Sequence, residues 1–366
     1  MRVLVATPLY PPDPGGPATY VRLLEELLPK EGVEVVVAKF GDVRHLPKVL
    51  RHMAYFAQVY KASKDADLIL ALDPVSTGLS AMLAAKLRRV PFVVKVVGDY
   101  AWEQGRQRFG VRATLDEFVF ERATHPAVVI LRAVQSLVAK NAHTVLVPSE
   151  YLKKIITRWG ISSNRISVIY NAVNVGTVDS LEDDGKGPTR PRIVTAGRLV
   201  PWKGIGGVID AVEQIRTTIP ETSLTVIGAG PEEDALMRYA AVRLKDGYLF
   251  TGALTHEDTL TLLQDADLFV LNSTYEGLSH LLIEALTLGV PVVATKVGGN
   301  AELIDDGVNG VLVPAKDLGA LVAACTKVLT DTTFAEELSR EAVSSMERFT
   351  TTRMITDTKA LFETIV

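Results

Sequence analysis

The sequence predicts an α/β protein built from two open, doubly wound parallel-sheet domains. Three observations carry that expectation. Short runs rich in Val, Ile and Leu alternate with longer stretches of helical periodicity. The alternation is interrupted once by a polar Gly/Pro-bearing stretch and then restarts. At 366 residues the chain exceeds what one hydrophobic core ordinarily serves.

Taken in order, residues 3–7, 34–39, 68–71, 92–97, 144–148 and 166–170 read as strands with helices between them, which implies parallel βαβ units. Residues 175–192 contain Asp183-Asp184-Gly185-Lys186-Gly187-Pro188, a composition suited to a linker, and the domain boundary is expected there. Beyond it, residues 192–196, 224–228, 249–251, 268–272, 290–295 and 310–313 read as a second set of strands. Residues 335–366 are helical in period and carry no strand signal. The expected domains are 1–175 and 176–345, with a final helix over 346–366.

A composition of 48% hydrophobic, 22% charged and 7% aromatic residues excludes a disordered, collagen-like or coiled-coil chain. The single cysteine, Cys325, cannot form an internal disulfide or a cysteine-based zinc site, which points to a reducing compartment and a cytoplasmic location. The first apolar run is too short for a signal peptide, and Lys95, Arg132 and Lys140 interrupt the best apolar stretches, so a soluble or peripheral protein is expected.

The net charge of −4 hides an asymmetry: residues 1–175 carry 23 Lys and Arg against 15 Asp and Glu, and residues 176–366 carry 16 against 28. The first half is thus suited to an anionic partner, although two differently solvated surfaces would give the same split. No acid occurs between Asp42 and Asp65, where Leu46, Val49, Leu50, Met53 and Phe56 recur at helical spacing among Arg44, Lys48, Arg51, His52, Lys61 and Lys64. This is a basic amphipathic helix, either packed with a solvated cationic face or turned to a membrane. Arg106, Arg108 and Arg112 beside Trp102 and Phe109 would likewise suit anionic headgroups on the inner face of the cell membrane.

Four clusters bear on chemistry. Gly15 and Gly16, between the first strand and first helix, permit close approach of a ligand to backbone amides, as would any strand-to-helix turn. Gly228-Ala-Gly230 lacks the third glycine of a dinucleotide fingerprint, which demotes nicotinamide chemistry and leaves a tight turn. Arg198 and Lys203 follow the first strand of the second half, where a guanidinium fork and an ammonium can converge on a diphosphate; a pair of solvated cations is the plainer reading. Glu276-Gly277-Leu278-Ser279 enters an apolar helix expected to begin near Leu278, whose free amides can hold phosphate. Glu284, between Leu281-Leu282-Ile283 and Ala285-Leu286, needs a partner such as a pair of hydroxyls. The histidines show no metal-ligand spacing, and no catalytic metal is expected.

With Gly15-Gly16, Arg198 and Lys203, and Glu276 followed by Glu284, the chain resembles the GT-B-fold retaining glycosyltransferases of family 4 over almost its whole length. Similar segments are Val147-Pro148-Ser149, Asn171 to Asn174, Asp265-Ala266-Asp267 and Gly298-Gly299-Asn300. The resemblance implies two Rossmann-like domains facing an interdomain cleft, with the acceptor held by the first and the donor by the second. It implies that the final helix crosses back to the first domain. Arg198 and Lys203 would then bind the donor diphosphate with support from Gly15, Gly16, Gly277 and Leu278, Glu284 would hold the ribose, and Glu276 would face the donor sugar. Where many members carry a histidine, this chain reads Gly98-Asp99-Tyr100, so Asp99 or Glu103 is the candidate for contact with the sugar. The implied reaction moves a sugar from a nucleotide-diphosphate sugar to a saccharide or lipid-linked acceptor, with no cofactor and no nucleic acid. A GT-B epimerase or hydrolase, or a non-catalytic nucleotide- or glycan-binding protein, is the alternative.

Overall fold

The structure, a computed structural model, describes residues 1–13, 15–173, 175 and 191–366, and for Lys48 the backbone alone. Asn174 and most of the expected linker, residues 176–190, lie outside the described residues. The chain divides into two compact units, residues 1–171 with 351–366, and residues 172–350.

In the first unit, β1 (Arg2–Thr7), α1 (Gly16–Leu27), β2 (Glu34–Lys39), α2 (Lys48–Ala62), β3 (Leu68–Ala71), α3 (Gly78–Arg88) and β4 (Phe92–Lys95) alternate strictly. They are followed by α4 (Tyr100–Arg108), α5 (Leu115–Phe118), α6 (Pro126–Asn141), β5 (Thr144–Val147), α7 (Glu150–Thr157) and β6 (Ile166–Val168). The strands form one parallel sheet in the order β2-β1-β3-β4-β5-β6. Strands β3, β4 and β5 are buried at every position, as continuous apolar runs sandwiched between helix layers should be. Val5 of β1 sits opposite both Val37 and Leu70, so the sheet grows in two directions from β1. Right-handed crossovers then put α1 on one face and α2, α3 and α6 on the other, where these three pack side by side.

The second unit contains β7 (Arg192–Ala196), α8 (Ile205–Ile215), β8 (Ser223–Ile227), α9 (Glu233–Arg243), β9 (Tyr248–Gly252), α10 (His256–Gln264) and β10 (Leu268–Leu271). It continues through α11 (His280–Thr287), β11 (Val292–Thr295), α12 (Asn300–Leu303), β12 (Val311–Val313), α13 (Leu318–Thr330) and α14 (Thr332–Ser345). Its parallel sheet runs β12-β11-β10-β7-β8-β9. The chain enters at β7, moves outward through β8 and β9, and returns to β10 on the other side of β7. Ligands of open α/β sheets bind beyond the strand ends at such a reversal. The core of this unit packs Ile205, Val208, Ile209 and Val212 of α8 against Ile193, Val226, Leu268 and Val270.

The helical segment expected over 335–366 is not one helix. A 3-10 turn at Met346–Phe349 ends it, and α15 (Thr351–Glu363) belongs to the first unit. There α15 buries Met354, Ile355 and Phe362 and packs on α1 and the turn Leu28–Glu31, with Lys359 3.4 Å from Glu31.

Buried polar groups in the first unit serve its architecture. Asp99, 1% exposed, caps α4: its Oδ1 accepts from the Trp102 amide at 2.9 Å and its Oδ2 accepts from Trp159 Nε1 at 3.1 Å. Burial raises its pKa, opposed by these donors and by Gln135. With a donor on each oxygen inside the protein, Asp99 is a helix cap that ties α4 to Trp159. Trp102 is also buried, with its indole donating to Ala113 O, and Arg106 donates to Arg112 O, so this cluster holds a turn together.

Lys95 of β4 is fully buried, its ammonium 3.8 Å from the Tyr20 ring centroid and without a hydrogen-bond acceptor among the described residues. Burial lowers its pKa to about 7. Between that value and the ordinary lysine range the unfolded chain holds a proton the folded one has released, so stability rises with pH. Cys325, pushed up to about 12 by burial, opposes this only above its ordinary range. Urea denaturation from pH 7 to about 8.5 should therefore show a gain of roughly 1–2 kcal/mol, which Lys95→Met should flatten.

Candidate functional site

The candidate site lies in the second unit, where the loops after β7 and β10 meet at the reversal of the sheet. Lys203 ends a 3-10 turn, Pro201–Lys203, and its Nζ donates to Glu276 Oε1 at 2.6 Å. The same oxygen accepts from Ser273 Oγ at 2.6 Å. Both partners are largely buried, with 15% and 8% of their side chains exposed. The Thr274 amide donates to Trp202 O at 2.7 Å, so the two loops are joined through backbone as well as charge. Asn272 Nδ2 adds a bond to Gly204 O at 2.9 Å.

Arg198 stands in the same loop as Lys203, exposed and without an ion pair among the described residues. A Cβ built on Gly197 would lie 3.5 Å from Lys203 Cε and 3.7 Å from Leu281 Cδ1, so the Arg198 loop, Lys203 and the start of α11 converge. Helix α8 begins at Ile205, two residues after Lys203, with no side-chain cap. Its uncapped amides add positive potential beside the ammonium. One exposed cation, one part-buried cation and a helix N-terminus thus share one corner of the site, an arrangement suited to a diphosphate.

Helix α11 starts at His280, two residues after Leu278. Ser279 is its cap, the Oγ accepting from the Leu282 amide at 3.3 Å. Gly277 and Leu278 therefore precede the helix in a buried loop, and only the amides following Ser279 belong to the helix end. Glu276 lies outside the helix altogether, so the spacing of Glu276 and Glu284 is set by the loop and not by helix rise. Glu284 is 4% exposed, and its Oε1 accepts from His256 Nε2 at 2.9 Å. His256, the first residue of α10, is thus the partner that the apolar surroundings of Glu284 demanded. The other oxygen of Glu284 has no protein partner among the described residues.

Sequence reasoning missed His256 and Ser273, because they meet their carboxylates only when separate loops fold together. His256 is 28 positions from Glu284. Gly228 and Gly230, read as a tight turn, have another duty: Cβ atoms there would lie 2.0 Å from Gly197 O and 2.3 Å from Leu199 O. They let the β8 loop press on the loop that carries Arg198. Gly15 and Gly16 lie in the first unit at the start of α1, which likewise has no side-chain cap. Asp73, after β3, was not singled out in the sequence; its Oδ1 accepts from the amides of Val75 and Ser76, and burial raises its pKa.

Comparison with known proteins follows these two units. Residues 179–344 match the family described as Glycosyl transferases group 1, and residues 1–172 match the Glycosyl transferase 4-like domain. The chain is 30% identical over 265 residues to a glycogen synthase of Mycobacterium tuberculosis, an overlap of 72% of this chain and 60% of that protein. The chain thus spans about 60% of that relative's length. Over 150 residues, 39% of each chain, it is 33% identical to a GDP-mannose-dependent alpha-(1-6)-phosphatidylinositol monomannoside mannosyltransferase of Mycolicibacterium smegmatis. Among solved structures, Anabaena HepE in complex with UDP and glucose superposes with a TM-score of 0.79 at 20% identity over the whole of both chains. Sucrose-phosphate synthase of Thermosynechococcus elongatus superposes at 0.81 and 20% identity, covering 99% of this chain and 98% of that one. These likenesses establish the two-domain GT-B fold.

Gly298 fixes the floor of the site. Its φ is +52°, and a Cβ would lie 1.8 Å from Glu276 O. Gly298→Ala should destabilise the second unit by roughly 1–3 kcal/mol and displace the Glu276 loop. A fall in the denaturation midpoint, with weakened nucleotide-diphosphate binding in calorimetry, is the expected pair of results.

Proposed function

The chain belongs to the glycosyl transferases group 1, and from that premise we propose that it is a retaining glycosyltransferase that moves one sugar from a nucleotide-diphosphate sugar to a saccharide or lipid-linked acceptor. The observation that carries the reading is the contact of Lys203 with Glu276 at 2.6 Å. In a nucleotide sugar the anomeric carbon is bonded to a diphosphate oxygen. A cation serving the leaving oxygen and an anion serving the sugar must therefore sit a few ångströms apart, and these two side chains do.

In this reading Arg198, Lys203 and the start of α8 hold the diphosphate, with Gly277 and Leu278 shaping its floor. Glu284, oriented by His256, takes the ribose hydroxyls with its remaining oxygen. Glu276, held by Ser273 and Lys203, is fixed in place and stabilises the positive charge that develops at the anomeric carbon. A carboxylate so neutralised is a poor nucleophile, which favours direct front-face displacement. The acceptor hydroxyl oxygen bonds to the anomeric carbon as the bond to the diphosphate oxygen breaks, and that oxygen takes the hydroxyl proton. No separate protein base is needed, only alignment and electrostatics. Protein cations supply the charge at the leaving group, so the reaction is taken to be metal-independent, in the cytoplasm. The named relatives differ in nucleotide, UDP in one and GDP-mannose in another, and the donor is assigned here by class alone.

Lys203→Ala should weaken nucleotide-diphosphate binding by about 1.5–3 kcal/mol in calorimetry, and unchanged affinity would sink the clamp. The two carboxylates should separate in steady-state kinetics. Glu284→Gln should act on binding of ribose-bearing nucleotides, whereas Glu276→Gln should lower kcat by roughly 100-fold with a smaller effect on diphosphate affinity. Product formed at the same rate without any acceptor would replace transfer with hydrolysis or epimerisation.

A further inference from the structure

The helix layer of the first unit made by α2, α3 and α6 has a composition its neighbours lack. Its 42 residues include seven Lys or Arg and no Asp or Glu. Elsewhere in the unit acids are ordinary: Glu25 and Glu26 in α1, Glu103 in α4, Asp116 and Glu117 in α5, Glu150 in α7. Acids are thus absent from three adjacent helices.

The second observation is what these helices present to solvent. The inward face of α2 is Tyr55 and Val59, both fully buried. Of the apolar stripe, Leu46 and Phe56 are half-buried, while Val49, Leu50 and Met53 point out, 73%, 53% and 64% exposed. On α3 the outward positions are Leu83, Lys86 and Leu87, with Leu87 65% exposed. On α6 the outward positions are Pro126, Ile130, Ala133, Leu137 and Lys140, a single helical face, with Ile130 62% exposed. Three adjacent helices therefore turn apolar side chains outward where a water-facing helix carries charge. Lys86, Arg89 and Lys140 are exposed among them and Arg51 is half-buried.

We propose that the outer face of α2, α3 and α6 docks on an anionic lipid bilayer, with the helices lying in the plane of the interface. Large contiguous apolar surface marks an interaction site, and its charge selects the partner. A second copy of this chain would bring cationic face against cationic face. A bilayer bearing anionic headgroups offers acyl chains for Leu50, Met53, Leu87 and Ile130 and phosphates for Lys86, Arg89 and Lys140. Among the described residues no single helix is long and apolar enough to cross a membrane. The proposal does not depend on the transfer reaction, since the candidate site stands in the other unit.

Flotation with phosphatidylcholine vesicles, with and without phosphatidylglycerol, tests it. The protein should float with the anionic vesicles at low salt, and high salt should release most of it. Leu50→Glu with Leu87→Glu and Ile130→Glu should abolish flotation. Arg51→Glu with Lys86→Glu and Lys140→Glu should lower partitioning by on the order of 100-fold. These side chains are exposed or half-exposed, so the melting temperature and nucleotide-diphosphate affinity should stay unchanged, which separates lost docking from misfolding and from failure of the transferase reading. The proposal is overturned if the unmodified protein fails to float with anionic vesicles at low salt, or if the apolar variant floats as before. It is overturned too if sedimentation velocity shows a dimer that the apolar variant dissolves while vesicles bind neither form.

Discussion

The ion pair of Lys203 and Glu276 is the constraint around which the second unit is arranged. Two charges removed this far from water stabilise one another only if their geometry is held, and removing either would leave the other buried and unpaired. The surroundings supply that hold. Ser273 adds a hydrogen bond to the carboxylate, the backbone of Thr274 reaches Trp202, and Gly298 comes up against the carbonyl of Glu276. Because β7 and β10 are neighbours in the sheet, the loops that leave them have little freedom to separate.

The two units use buried polar groups differently. In the second, Glu276 and Glu284 are each anchored by a partner, Lys203 or His256, at the edge of a prospective ligand. In the first, Asp99 is consumed as a helix cap and Lys95 lies over an aromatic ring beneath the surface. Internal bonding likewise separates Trp102 and Arg106, which bond within their own turn, from the outward side chains of α2, α3 and α6, which have no such internal duty.

The sequence by itself determined the fold. The strands among the described residues fall on the expected apolar runs, and β3, β4 and β5 are apolar and buried at nearly every position because a parallel strand covered on both faces must be. It also singled out Arg198, Lys203, Glu276 and Glu284, since charged residues beside apolar runs at strand ends stand out against their surroundings. Tertiary structure decided what those residues touch. The pairing of Lys203 with Glu276 spans 73 positions and that of His256 with Glu284 spans 28, and no local pattern encodes a contact between loops that only the sheet order brings together. The same limit explains Asp99, whose second partner, Trp159, is 60 positions away. It explains α2 as well: helical periodicity reveals that a helix has an apolar stripe, but which stripe faces the sheet is set by packing, and here Tyr55 and Val59 went in while Leu50 and Met53 stayed out.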